Sequence, residues 1–238
     1  MGQSAFKRVE KKYLLNKHQY QAVLNRISNY MDMDRFGKHK ICNIYYDTKT
    51  DELIRNSIEK PVYKEKLRVR SYGIPKEDSK VYVELKKKYK GIVYKRRQEM
   101  SYSEARLLLE EGKMFSEKSQ IVKEIDWFMR FYEPYPKTFI AYDRIAFCGK
   151  DNPDLRLTID SNIICRNIIL DLRKGVWGKA LLRKEEYLME IKITGAMPLW
   201  LAGILSENNI YQTSFSKYGK WYMENINQID YKGGVICV

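Results

Sequence analysis

The sequence predicts an α+β protein built on an antiparallel sheet of about eight strands. Three observations carry this reading. Strand-like stretches occupy 6–15, 42–48, 64–73, 80–90, 91–102, 139–147, 155–160 and 188–193. Several connections are short, and IPKEDSK at 74–80 has turn composition, which suits hairpins. Along each stretch, charged and apolar residues alternate with the period of a sheet that is dry on one face.

Taken strand by strand, the alternation is specific. Lys66, Arg68 and Arg70 oppose Leu67 and Val69. Glu84, Lys86 and Lys88 oppose Val81, Val83 and Leu85. Lys95, Arg97 and Glu99 form one row, and Arg8, Glu10 and Lys12 another. Tyr142 and Arg144 oppose Ala141 and Ile145, with Asp143 breaking the apolar side. Arg156, Thr158 and Asp160 oppose Leu155, Leu157 and Ile159, and Glu190 and Lys192 oppose Met189, Ile191 and Ile193.

Helices are fewer. Tyr20, Val23, Leu24, Ile27, Tyr30 and Met31 follow helical spacing over 16–33, behind an Asn16 cap. Ser101 and Glu104 form a capping box ahead of ARLLLEEG, with Gly112 as the stop. A third helix spans 117–132 and stops before Pro134, Pro198 starts a fourth, and the last begins near Ser216.

The chain of 238 residues carries 44 Lys and Arg against 30 Asp and Glu, a net charge of +14. Such a balance points to an anionic partner without choosing among nucleic acid, acidic membrane and phosphate compounds. Two histidines, His18 and His39, argue against a histidine triad or a multi-histidine zinc site. The cysteines at 42, 148, 165 and 237 are scattered, as expected of free thiols in a reducing compartment. No apolar run reaches the roughly 20 residues of a membrane span, and the amino terminus lacks a signal-peptide core. Phe6 stands where a myristoylation signal has Ser or Thr. A cytoplasmic location is the expectation.

Two architectures fit the charged rows. One is an open sheet with a wet face. The other is a closed barrel, since about eight strands suffice to enclose one small ligand. Cations recur on adjacent strands. Two like charges about 5 Å apart repel by roughly 3 kcal/mol at an effective dielectric of about 20, and by under about 1 kcal/mol in water. A closed cationic lumen therefore calls for an anion such as a triphosphate or a longer phosphate chain. Most acids in these rows read as partners that space the cations apart. Glu190, in the otherwise apolar LMEIKI, is the candidate ligand for Mg²⁺ or Mn²⁺.

The motifs RVEKKY, NIYYDT, KLRVRSY, VELKKK, VYKRR, AYDRIAF, LRLTID, LMEIKI and SFSKYGKWY occur in that order over most of the chain. In them the chain resembles the VTC domain, the polyphosphate polymerase branch of the triphosphate tunnel metalloenzymes. The resemblance implies one domain over 1–238: a closed eight-stranded antiparallel tunnel barrel with a polar cationic lumen and helices packed outside. It implies ATP as phosphoryl donor, Mn²⁺ or Mg²⁺, and polyphosphate or pyrophosphate as the other phosphate partner. Carried over motif by motif, Arg68, Arg70, Arg144, Arg156 and Lys86 become the catalytic cations. Lys12, Lys66, Lys95, Arg97, Tyr142, Ser216 and Lys217 become phosphate ligands, and Glu190 the metal ligand.

Hydrolase and cyclase relatives in that superfamily open with Glu-x-Glu-x-Lys. Here the run is Arg8-Val9-Glu10-Lys11-Lys12, which replaces a second metal ligand by a cation and favours the polymerase branch. The inositol-phosphate-sensing domain and membrane segment of fungal complexes have no counterpart here, so regulation and export are not carried over. A hydrolase on the same fold is the alternative. A non-catalytic polyphosphate or nucleic-acid binder is another, with Tyr89, Tyr94 and Trp221 as stacking aromatics, although no RNA-binding signature appears and no nucleic-acid partner is expected.

Overall fold

The computed structural model describes residues 8–59, 61–90, 92–113 and 119–230. The stretch holding Gly2 and Phe6, the Arg8 side chain, and Cys237 lie outside the described residues. In chain order, β1 (Arg8–Leu15), α1 (Lys17–Ile27), β2 (Met31–Met33) and β3 (His39–Asp47) lead to α2 (Glu52–Glu59). Then come β4 (Tyr63–Tyr72), β5 (Lys80–Tyr89), β6 (Ile92–Ser101), α3 (Tyr102–Glu110) and α4 (Gln120–Tyr132). The remainder is β7 (Tyr135–Gly149), β8 (Arg156–Arg166), β9 (Lys179–Ala180), β10 (Tyr187–Thr194), α5 (Leu199–Glu207), β11 (Gln212–Thr213) and α6 (Lys217–Asp230).

The expected α+β class holds, and the described strand pairings are antiparallel. The strand count does not hold: eleven strands are present among the described residues rather than eight. The additional ones, β2, β9 and β11, have two or three residues each, too few to show an alternation. Among the described residues β6 and β11 stand at the two ends of the strand order, and no pairing joins them.

Two compact units divide the chain. The first comprises 1–41, 142–163 and 182–215. In it β11, β1, β10 and β8 pair in that order, and β2 pairs with β7. Its core packs Leu157, Ile159, Met189 and Ile191 against Val23 and Ile27 of α1 and Leu201 and Ile204 of α5. The second comprises 42–141, 164–181 and 216–238. Its meander β4–β5–β6 buries Leu67, Val69, Val81, Val83 and Leu85 against Leu108 of α3 and Ile125 and Phe128 of α4. The apolar faces read from the alternation are thus the buried ones.

Both expected caps are present. Asn16 Oδ1 accepts from the Gln19 N–H at 2.9 Å, and Gln19 Oε1 accepts from the Asn16 N–H at 3.1 Å. Ser101 and Glu104 exchange the same two bonds ahead of α3. Helix α1 is shorter than its periodicity predicts. It ends at Ile27, and after Ser28–Tyr30 the chain turns into β2, because Ser and Asn offer the backbone local turn bonds. Helix α2 was not expected. Its first turn is capped from outside, Asp47 accepting from the Leu53 and Ile54 N–H groups at 2.9 Å each.

Candidate functional site

Strand register places the charges of the second unit on a grid. Lys66, Lys86 and Lys95 lie side by side across β4, β5 and β6. One step along, Arg68, Glu84 and Arg97 form the next row, and Arg70, Tyr82 and Glu99 the third. All nine share the face opposite the core. Six are cations and two are acids, so the face is strongly basic, as the alternation predicts.

Glu84 is the hub. It is 2 % exposed, and its carboxylate lies 2.7 Å from Arg68 Nε, 2.8 Å from Lys95 Nζ, 3.5 Å from Arg97 Nε and 3.8 Å from Arg70 Nε. Burial alone would raise its pKa, but Arg68, Arg70 and Lys95 outweigh burial and hold the carboxyl well below the usual range. Partial burial pushes Lys95 below the ordinary lysine value despite Glu84. Reading Glu84 as a partner that spaces cations is borne out.

Neutral groups aim the arginines. Arg68 donates to the Tyr45 hydroxyl at 2.8 Å. Arg70 donates to Asn43 Oδ1 at 3.0 Å, while buried Asn43 donates to the Ile140 carbonyl at 3.0 Å. Ser216 precedes α6 and caps it, its Oγ accepting from the Gly219 N–H at 3.1 Å. The same Oγ accepts from Lys66 Nζ at 3.4 Å, which brings these two site candidates together. Lys217 opens α6, and Lys86 is exposed in the lysine row.

The first unit carries a separate cluster. Arg144 grips Asp160 with two parallel bonds, Nε to Oδ1 at 2.6 Å and an Nη to Oδ2 at 2.7 Å. Asp160 is fully buried. Burial works against the charge on Arg144, yet Tyr142, Asp160 and Glu190 hold it more firmly protonated than usual. Tyr142 is buried, with its ring 5.2 Å from the Arg144 guanidinium. Lys12 stands opposite Glu190 across β1 and β10, its Nζ 3.6 Å from Glu190 Oε1, 3.3 Å from Glu10 Oε1 and 2.8 Å from the Phe215 carbonyl. Arg144 lies 3.9 Å from the other Glu190 oxygen. Arg156 shares this face beside Lys192 and is exposed.

The stacking aromatics considered from sequence lie elsewhere. Tyr89 and Tyr94 alternate onto the face opposite the grid, and Trp221 is buried, donating to Asn167 at 2.7 Å. Asn43, Tyr45 and Asp160 were not singled out as site residues. Of these only Asp160 carried a signal, as an acid in a basic row. Among the described residues, Cys42, Cys148 and Cys165 form no disulfide. No helix among the described residues is long and apolar enough to cross a membrane.

Solved structures share this fold. A candidate adenylate cyclase from Bacillus halodurans aligns with a TM-score of 0.55 at 16 % identity, covering 88 % of this chain and 93 % of its own. A candidate adenylyl cyclase from Hippeastrum, described as having a dominant triphosphatase activity, gives 0.56 at 18 %, covering 92 % and 96 %. A third, from Vibrio parahaemolyticus, gives 0.51 at 15 %, covering 94 % and 99 %. No curated protein sequence matches the chain. The VTC domain model, by contrast, matches residues 7–223, a span that includes the basic grid, the Arg144–Asp160 fork and Glu190, and the chain therefore belongs to the VTC domain family.

Proposed function

We propose that the chain is an ATP-dependent polyphosphate polymerase that transfers the γ-phosphoryl group of ATP to the end of a growing polyphosphate chain. The observation that supports it most is the row Lys66, Lys86 and Lys95 beside the Arg68–Glu84–Arg97 row. Three adjacent lysines repel one another, and a bound polyanion turns that repulsion into attraction. The closed cylinder with a cationic lumen belongs to this proposal. It is the arrangement in which such a row meets phosphate in a low dielectric.

A terminal phosphate oxygen of the acceptor attacks the γ-phosphorus of ATP. The bond to the β–γ bridging oxygen breaks, ADP leaves, and the acceptor is one phosphate longer. The acceptor is already an oxyanion, so no general base is needed. The work is positioning and neutralising charge. Arg68, Arg70, Arg144, Arg156 and Lys86 stabilise charge spreading over the donor phosphates and the transferred group. Lys12, Lys66, Lys95, Arg97, Tyr142, Ser216 and Lys217 bind the phosphates to either side.

Mg²⁺ or Mn²⁺ fits the residues present. Among the described residues no three His, Cys, Asp or Glu side chains cluster as a metal cage. Glu190 and Glu10 face the same side of β10 and β1, both within 3.6 Å of Lys12 Nζ. One or two carboxylates completed by phosphate oxygens and water is how Mg²⁺ is commonly held. Glu190, with Glu10 beside it, would hold the ion, which supplies further neutralisation of donor phosphate charge.

A second reading is hydrolysis of triphosphates, with water as acceptor. The triphosphatase activity described for the Hippeastrum structure favours it. One assay separates the two. Protein, ATP, Mn²⁺ and pyrophosphate are incubated and the products resolved on a gel. A ladder of long phosphate chains supports the polymerase. Orthophosphate without chains overturns it in favour of the hydrolase.

A further inference from the structure

Tyr82 in the third row of the grid, and Tyr72 just beyond that row, are aromatic residues that the phosphate chemistry does not use. Tyr82 lies between Arg70 and Glu99 in register, and Tyr72, two residues beyond Arg70, shares their face. The Arg97 guanidinium carbon sits 3.5 Å from the centre of the Tyr82 ring, and an Arg97 Nη donates to the Tyr72 hydroxyl at 3.2 Å. The Tyr72 and Tyr82 rings meet edge to face at 5.8 Å and 81°. Arg97 thus stands over one ring and donates to the hydroxyl of the other. Its side chain remains 36 % exposed, and Tyr72 is 51 % exposed.

We propose that Tyr72, Tyr82 and Arg97 form a stacking platform for the nucleobase of the donor nucleotide, a reading that rests on ATP being the donor. Two residues along a strand span about 7 Å, so Tyr82 is about 7 Å from the Arg68–Glu84–Arg97 row and about 14 Å from the lysine row. An extended nucleoside triphosphate covers that span, with its terminal phosphates on the lysines and its base on the aromatic end. Bases stack on aromatic rings and on arginine planes alike. Here an arginine already stands over a tyrosine ring and remains partly exposed. A cation needed only for phosphate requires no such support. The platform adds affinity for the nucleoside while the phosphates are gripped as before.

The test compares two ligands that differ by the nucleoside. Binding of ATP and of inorganic tripolyphosphate, each with Mn²⁺, is measured by calorimetry for wild type, Tyr72→Ala, Tyr82→Ala and Tyr82→Phe. Loss of a stacking ring should weaken ATP about tenfold and leave tripolyphosphate unchanged. Tyr82→Phe, which keeps the ring, should bind ATP like wild type. Equal weakening of both ligands in the alanine variants overturns the platform and makes the tyrosines mere supports of Arg97. Unchanged ATP binding in both alanine variants overturns it as well. Tyr72 is exposed, so its variant keeps the test valid if Tyr82→Ala fails to fold. A wild-type protein that binds tripolyphosphate but not ATP overturns the platform alone. One that binds neither overturns the phosphate-transfer reading with it.

Discussion

Arg68 and Glu84 face each other across the β4–β5 register, the guanidinium reaching one carboxylate oxygen through two nitrogens at 2.6 and 2.7 Å. Glu84 is nearly inaccessible, whereas the cations around it open progressively toward the outside. Replacing it by Gln leaves Arg68, Arg70, Lys95 and Arg97 to repel one another without their shared anion. Breaking a buried ion pair from one side costs about 3–5 kcal/mol. Urea unfolding of Glu84→Gln should show a loss of that order. Tripolyphosphate should restore more stability to the variant than it adds to wild type, because it replaces the missing negative charge. An unchanged unfolding midpoint would show that Glu84 is not the hub.

The same carboxylate sets a pH dependence. Its pKa is lowered on folding by Arg68, Arg70 and Lys95. A carboxyl depressed in the folded state stabilises the fold fully above its unfolded value, about 4.3 for Glu. That contribution is lost as pH falls from there through the lower folded value. The stability gap between wild type and Glu84→Gln should therefore be flat from neutral pH to about pH 5 and narrow below about pH 4. Unfolding curves over that range check it, and a gap that widens on acidification contradicts it.

Arg144 and Asp160 make the tightest fork among the described residues of the first unit, with Asp160 fully buried. Asp160→Ala leaves a mostly buried guanidinium with Glu190 at 3.9 Å. The expected cost is about 3–5 kcal/mol, read from the unfolding midpoint. Arg144→Lys keeps the charge but not the two-pronged geometry. It should lose less stability than the Asp160 variant and still lose most phosphate transfer.

Legibility in the sequence followed period. Strands β4, β5 and β6 have ten residues each, long enough for the alternation to assign Lys66, Arg68, Lys86, Lys95 and Arg97 to one face. The capping boxes at Asn16 and Ser101 were legible because a cap is a local pattern. Asn43 was not. It lies inside the mostly buried run ICNIYYD, and its role depends on Arg70 and Ile140, 27 and 97 residues away. Helix α2 was missed for a similar reason, since its cap comes from the last residue of the preceding strand. Arg156 matches its motif and stands exposed beside Lys192 in register, so its role was legible from the motif rather than from packing.

Tyr218 tests how α6 is held. Its hydroxyl donates to Asp47 Oδ2 at 2.9 Å, on the carboxylate that caps α2, and its ring stacks on Tyr45 at 5.0 Å. Burial first, then the Asp47 charge, pushes its pKa above the ordinary tyrosine value. Tyr218→Phe keeps the stacking and removes one hydrogen bond to a buried charge. The loss should be about 2 kcal/mol. Because Ser216 and Lys217 immediately precede Tyr218, looser docking of α6 should also weaken tripolyphosphate binding. Calorimetry on the folded variant measures that part, and full affinity would confine Tyr218 to stability.

Glu190→Gln separates binding from turnover. The substitution keeps the size of the side chain and removes its charge. The grid on β4, β5 and β6 is untouched, so tripolyphosphate should bind with near wild-type affinity. Lys12 and Arg144 lose a carboxylate at 3.6 and 3.9 Å, but Lys12 keeps Glu10 and the Phe215 carbonyl, and Arg144 keeps its fork with Asp160. The loss falls on the metal, because a neutral amide oxygen is a far weaker ligand for a hard cation than a carboxylate. ATP turnover should therefore fall by at least about a hundredfold at low Mn²⁺, the upper end of what weakened support of a metal site costs, and recover in part as Mn²⁺ is raised. Turnover that persists at low Mn²⁺ rules Glu190 out as the metal ligand. If turnover is lost together with tripolyphosphate binding, Glu190 instead supports the phosphate site through Lys12.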